Sequence, residues 1–181
     1  MERVDVYFSL GSNMGDREDN LATAVAMMAD AFGTLPERAS SIIETPAWGF
    51  DGPDFMNQCV MFRLPRKGSP KDHALSILDT VKRIEKQMGR AAEEEYKNGK
   101  REYHNRPIDI DILFYGNHTI DEPALKIPHP LIAERDFVKI PMWEIASKEL
   151  LLDFSTTLEM EKVGTLVMTT LKDRQYNLNE I

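Results

Sequence analysis

The sequence predicts an α+β fold, an antiparallel sheet with helices packed on it, followed by a C-terminal extension. Three observations carry this. Segments of period-two alternation recur along the chain. Two stripes of apolar residues at helical spacing lie between them. Their order is β-α-β-β-α-β, the split β-α-β or ferredoxin-like arrangement.

In the first segment, Val4, Val6, Phe8 and Leu10 alternate with polar or amphipathic residues and read as a strand. Gly11-Ser12-Asn13-Met14-Gly15-Asp16 reads as a loop. Leu21, Val25, Met28 and Phe32 then repeat at helical spacing, and Gly33 and Pro36 end that helix. A second strand is expected from about Ala39 to Glu44. Two prolines and two glycines make irregular structure of Thr45 to Pro53. Phe55 to Leu64 reads as a third strand. Phe55, Asn57, Cys59 and Met61 lie on one face of it, and Met56, Val60 and Phe62 on the other. Pro70 opens a second helix that runs to about Met88, with Ala74, Ile77, Leu78, Val81, Ile84 and Met88 as its apolar stripe. Glu93 to Glu102 is charged and poor in apolar residues, and reads as a long exposed loop of the lid or binding type. The last strand is Ile108-Asp109-Ile110-Asp111-Ile112-Leu113-Phe114-Tyr115. Ile127-Pro128-His129-Pro130 forms a rigid turn, and a final helix is expected over Leu158, Val163, Leu166, Val167 and Leu171.

The chain has 181 residues, 42% of them hydrophobic and 29% charged, which suits a soluble domain with a sizeable core. A net charge of −8 argues against a nucleic-acid surface and against anionic membranes as partners. The lone cysteine, Cys59, permits no intramolecular disulfide. No signal segment or transmembrane run is read, and the expected setting is the cytoplasm.

The last strand also carries the chemistry. Residues i and i+2 share a face, so Asp109 and Asp111 point the same way while Ile108, Ile110 and Ile112 enter the core. Two adjacent carboxylates repel, and a hard divalent cation relieves this; Mg²⁺ is usual where phosphates complete the shell. The competing reading is a solvated polar face. Arg106 and Arg90 are candidates to grip phosphate with bidentate forks, the alternative for each being a surface charge. His129 could donate to a phosphate or cap its turn, and Arg135 could act with it. Asn57 offers a donor and an acceptor to a heterocycle edge, and Phe55 could stack on the ring. Taken alone, that pair reads more simply as a core phenylalanine and a backbone-bonded amide.

The ordered set of motifs resembles the 6-hydroxymethyl-7,8-dihydropterin pyrophosphokinase family. The matching segments are Ser9 to Arg17, Glu44 to Gly49, Pro53 to Asn57, Ile84 to Arg90, Arg106 to Gly116, Ile127 to Pro130 and Glu134 to Phe137. The resemblance implies pyrophosphate transfer from ATP to a pterin alcohol, with AMP released. It implies that Asp109 and Asp111 hold two Mg²⁺ ions and that Arg90, Arg106, His129 and Arg135 bind the triphosphate. Glu85 and Lys82 would lie at the nucleotide. Asn57 would bond to the pterin edge, Phe55 and Phe137 would sandwich its ring, and Thr45, Pro46 and Trp48 would complete the wall. Arg90 and Arg106 join the two aspartates as the expected catalytic set. The lid departs from the family pattern. Ala92 stands where many members carry arginine, and Glu102-Tyr103-His104-Asn105 replaces an Arg-Trp-Gly-Pro run; Lys97, Lys100 or Arg101 could supply the missing charge. A metal-dependent nucleotidyltransferase and an inactive pterin- or nucleotide-binding module are the alternatives. Residues 1–181 are expected to form one domain, with the motifs in about 4–147. The extension, about 148–181, is either packing or a dimer contact, and the chain is expected to act as a monomer on small-molecule substrates.

Overall fold

The computed structural model describes residues 2–89, 106–154 and 157, with the backbone alone of 96–97 and 100–101. The main sheet contains β1 (Arg3–Ser12), β2 (Arg38–Ala39), β3 (Ile43–Thr45) and β4 (Phe55–Pro65), with α1 (Arg17–Phe32) between β1 and β2. Helix α2 (Pro70–Gln87) and two short strands, β5 (Tyr96–Lys97) and β6 (Lys100–Arg101), precede the remaining main-sheet strand, β7 (Asp109–Tyr115). The hairpin β8 (Ile120–Glu122) and β9 (Leu125–Ile127) comes next. A 3-10 turn at Ile132–Glu134 leads to α3 (Asp136–Ile145) and α4 (Lys148–Asp153).

The sheet runs β2-β4-β1-β7, with β3 also paired to β4, and all of these pairings are antiparallel. The antiparallel α+β expectation therefore holds. Both helix starts follow local chemistry. Asp16 caps α1 by accepting from the Asp19 N–H at 3.1 Å, and Ser69 caps α2 by accepting from the Asp72 N–H at 3.1 Å. Gly33 stops α1 in the left-handed region, at φ 72°.

Alternation sorts each central strand onto two cores. Val4, Val6, Phe8, Leu10, Val60, Phe62, Ile110 and Ile112 pack with Leu21, Ala24 and Met28 of α1 and with Ala74, Ile77, Val81 and Ile84 of α2. Tyr7, Cys59, Met61, Leu113 and Phe114 meet Val138, Met142 and Ile145 of α3 and Leu150 of α4. The sequence pattern does not disclose α3, because Pro141 sits inside it and lacks the N–H a helix interior uses.

Three expectations need correction. The second strand is broken at Ser40, whose hydroxyl accepts the Cys59 N–H and whose N–H donates to the Cys59 carbonyl, both at 2.9 Å. The side chain thus takes a place in the ladder, leaving β2 and β3 as separate pieces. Gly11 and Ser12, read as loop, belong to β1 and pair with both neighbouring strands or, for Ser12, with β4. The charged segment expected as loop contains the β5–β6 pairing, Tyr96 opposite Arg101. Arg90, Ala92, Tyr103 and the helix expected over Leu158 to Leu171 lie outside the described residues. No helix among the described residues is long and apolar enough to cross a membrane.

Candidate active site

A cleft opens at one end of the sheet, on the face that α3 and α4 cover further along. Strand register builds its floor. Gly11 of β1 lies opposite Asn57 of β4 on one side and Asp109 of β7 on the other. Ser9 lies likewise between Cys59 and Asp111. Asn57 and Asp109 are thus two strand spacings apart, about 10 Å. Gly11 keeps the row open: a Cβ there would stand 3.0 Å from Asn57 Oδ1 and 3.3 Å from the Phe55 ring.

The isoleucines of β7 are buried and its two aspartates face the cleft, as the alternation predicts. The register then slips between Tyr7 and Phe8, so that Leu113 is an extra residue on β7. Its carbonyl accepts the His129 N–H at 3.1 Å and holds the proline-flanked turn beside the strand. His129 Nδ1 accepts from the Leu131 N–H at 3.2 Å, which leaves Nε2 facing Asp111 Oδ2 at 3.9 Å.

Two arginines meet the aspartates. Arg106 Nη1 lies 3.2 Å from Asp109 Oδ1, and Arg135 Nη1 lies 3.4 Å from Asp111 Oδ2. Their side chains are only 6% and 5% exposed, whereas Asp109 and Asp111 are 24% and 18% exposed. These charges are therefore held in the protein wall and aimed at an accessible carboxylate pair, where they interact more strongly than surface pairs do. The Arg135 guanidinium stands 4.7 Å from the Trp48 ring centre and 5.6 Å from that of Phe137, within cation–π range. Its Nε is buried without a hydrogen-bond partner among the described residues.

The rest of the cleft wall is largely aromatic, with Trp48 and Phe137 bordering Arg135. Thr45, Pro46, Trp48, Phe50, Phe55, Asn57 and Phe137 line the cleft together with Arg106, Asp109, Asp111 and Arg135. Asn57 is buried, and its Nδ2 donates to Thr45 Oγ1 at 2.7 Å, which fixes the amide. Phe50 meets Phe55 edge to face at 6.3 Å.

Most of the expected site residues thus converge. His129 joins through Asp111. Glu85 is elsewhere: it is buried under β7, and its Oε2 accepts the Ile110 N–H at 3.0 Å. Lys82 lies exposed on α2. Neither lines the cleft. Ser9, Gly11 and Phe50 line it without having been singled out. The signal for Gly11 was its register with Asn57 and Asp109, which only strand pairing shows.

Among the described residues no group of three or more His, Cys, Asp or Glu side chains could hold a metal ion. The donor set is a pair of carboxylates on one strand face beside buried arginines. That suits a hard cation that draws its remaining ligands from water and phosphate, as Mg²⁺ does, and not a caged structural metal.

Residues 7–147 match the family described as 7,8-dihydro-6-hydroxymethylpterin-pyrophosphokinase. The chain is 40% identical over 143 residues to a 2-amino-4-hydroxy-6-hydroxymethyldihydropteridine pyrophosphokinase of Porphyromonas gingivalis, covering 78% of this chain and 90% of that one. An Aquifex aeolicus protein of the same name is 38% identical over 141 residues, 77% of this chain and 79% of its own. A folate synthesis bifunctional protein of Arabidopsis thaliana is 39% identical over 146 residues, 80% of this chain but 28% of that longer protein.

Proposed function

The chain belongs to the 7,8-dihydro-6-hydroxymethylpterin-pyrophosphokinase family, and we propose how its residues divide the work of that reaction. It transfers pyrophosphate from ATP to the hydroxymethyl group of 6-hydroxymethyl-7,8-dihydropterin in folate synthesis, and AMP leaves. The observation that carries the assignment of roles is the single cleft shared by an aromatic end and an aspartate–arginine end.

Asn57 presents its amide to the polar edge of the pterin, while Phe55 and Phe137 take its faces and Thr45, Pro46 and Trp48 close the wall. The floor spans about 10 Å from Asn57 to Asp109, a reach that suits a bicyclic ring with a one-carbon arm. The pterin hydroxyl is thereby delivered to the aspartate end, where it attacks the β-phosphorus in line with the bond to AMP. Phosphoryl transfer of this kind depends on positioning and charge neutralisation more than on covalent help. Arg106 and Arg135 hold fixed positive charge where the phosphates lie, and His129 offers Nε2 beside them. Asp109 and Asp111 would hold two Mg²⁺ ions, which when bound supply charge neutralisation for the phosphates and a fixed position for the attacking oxygen. In this reading Arg90 also binds the triphosphate, and one of Lys97, Lys100 and Arg101 supplies the charge missing at Ala92. Glu85, bonded to the β7 backbone, positions that strand from beneath. The working unit is a monomer of one domain in the cytoplasm, the lone buried thiol of Cys59 suiting a reducing compartment.

Manganese binding measured by electron paramagnetic resonance tests the metal assignment. With α,β-methylene ATP present, the wild-type chain should hold two ions. Asp109→Asn plus Asp111→Asn should hold neither tightly. Two tightly held ions in that folded double variant would overturn the assignment.

A further inference from the structure

We propose that Asn13 is a positioning residue that couples the pterin end of the cleft to the phosphate end. The proposal rests on the assignment of those ends above. Asn13 follows the last residue of β1 and is buried, yet it does not line the cleft. Its side-chain Oδ1 accepts the Arg106 N–H at 2.6 Å, and its own N–H donates to the Arg106 carbonyl at 3.1 Å. Arg106 is therefore clipped to Asn13 through both of its backbone polar groups. The Asn13 amide also donates, from Nδ2, to the Pro53 carbonyl at 3.2 Å. Pro53 closes the loop that carries Trp48 and Phe50 and leads into Phe55, all three in the cleft wall.

One side chain thus ties the arginine facing Asp109 to the loop facing the pterin. The position needs an acceptor for Arg106 and a donor for Pro53, and the two separate atoms of the asparagine amide supply them at once. Arg17 anchors the same loop differently. Its Nη1 donates to the Asp54 carbonyl at 2.9 Å and to Glu44 Oε1 at 2.8 Å. Arg17 fixes the loop to α1 and β3, whereas Asn13 fixes it to the phosphate end. A shift of the loop on pterin binding is passed to Arg106 through Asn13, and the coupling is necessarily reciprocal.

The test is calorimetric titration of the full chain with the pterin, with Mg²⁺ and α,β-methylene ATP, and with each in the presence of the other. The wild type should show each ligand tightening the other about tenfold, within the usual range of site coupling. Asn13→Asp keeps the acceptor for Arg106 and removes the donor to Pro53, and should bring the coupling factor near one while each ligand still binds alone. Asn13→Ser, neutral and smaller, carries the same expectation should the aspartate variant fail to fold. Arg17→Gln should weaken the pterin alone and leave the coupling factor unchanged. Wild-type coupling in a folded Asn13 variant would overturn the proposal, as would a wild-type factor of one, or equal loss in Arg17→Gln. Failure of the wild-type chain to bind pterin at all would instead overturn the assignment of the cleft.

Discussion

Replacing Asn57 by alanine separates the two ends of the cleft energetically. Asn57 is buried, sits in the floor opposite Gly11, and has its amide set by Thr45 at 2.7 Å. Removing it leaves the polar edge of a buried pterin without its partner, a loss of about 1–3 kcal/mol. At one decade per 1.4 kcal/mol, that is roughly a 5- to 150-fold rise in the pterin Kd. The lost bond to Thr45 should cost the fold only about 0.5–1.5 kcal/mol. Asp109 lies about two strand spacings away, so nucleotide affinity should stay near wild type. Thr45→Val, which removes the acceptor that orients the amide, should weaken the pterin by less than Asn57→Ala does. Fluorescence titration with pterin, and separately with α,β-methylene ATP, reads both affinities. Equal weakening of the two ligands would refute the placement of the pterin at Asn57.

Asp109→Asn or Asp111→Asn should lower kcat by roughly a thousandfold or more, since metal-assisted charge stabilisation supplies several kcal/mol; near-normal turnover in the folded variants would contradict their role. Glu85→Ala should cost about 1–3 kcal/mol in urea unfolding, because the buried Ile110 N–H loses its acceptor. Unchanged stability with weakened nucleotide binding would return Glu85 to the nucleotide. Burial pushes the Cys59 thiol well above its ordinary range, so a thiol reagent should modify it only as fast as the chain opens; immediate modification of native protein would contradict its placement. Burial, with the Lys67 and Arg66 charges, lowers the His73 pKa from its ordinary 6.5. The unfolded chain therefore takes up a proton that the folded one resists, and stability should decline as pH falls below about 6.5. His73→Gln should remove that part of the decline, and an unaltered pH profile would show that His73 does not contribute it.

The two aspartates on one face and the isoleucines behind them were legible because period two has a single consequence on a strand. The end of α1 at Gly33 was legible for a comparably local reason, the left-handed backbone a glycine accepts. Gly11 was not, because its importance comes from lying between Asn57 and Asp109 on three paired strands. Alternation also ceases at Leu113, where the bulge that receives His129 inserts one residue. Helix α3 was hidden by Pro141, and the strand break at Ser40 by a serine hydroxyl that replaces a ladder bond. Glu85 sits on the helix face that looks toward β7, and its spacing from Lys82 does not show which of them turns inward. Apart from α3, contacts between segments distant in sequence decided these.

The most direct test of the account is AMP formation from Mg-ATP, with and without 6-hydroxymethyl-7,8-dihydropterin, by the wild-type chain and by Asp109→Asn. Wild-type protein should release AMP only when the pterin is present, with one pyrophosphorylated pterin formed per AMP, and Asp109→Asn should release almost none. Release of pyrophosphate in place of AMP, or no AMP from folded protein that binds the pterin, would contradict it.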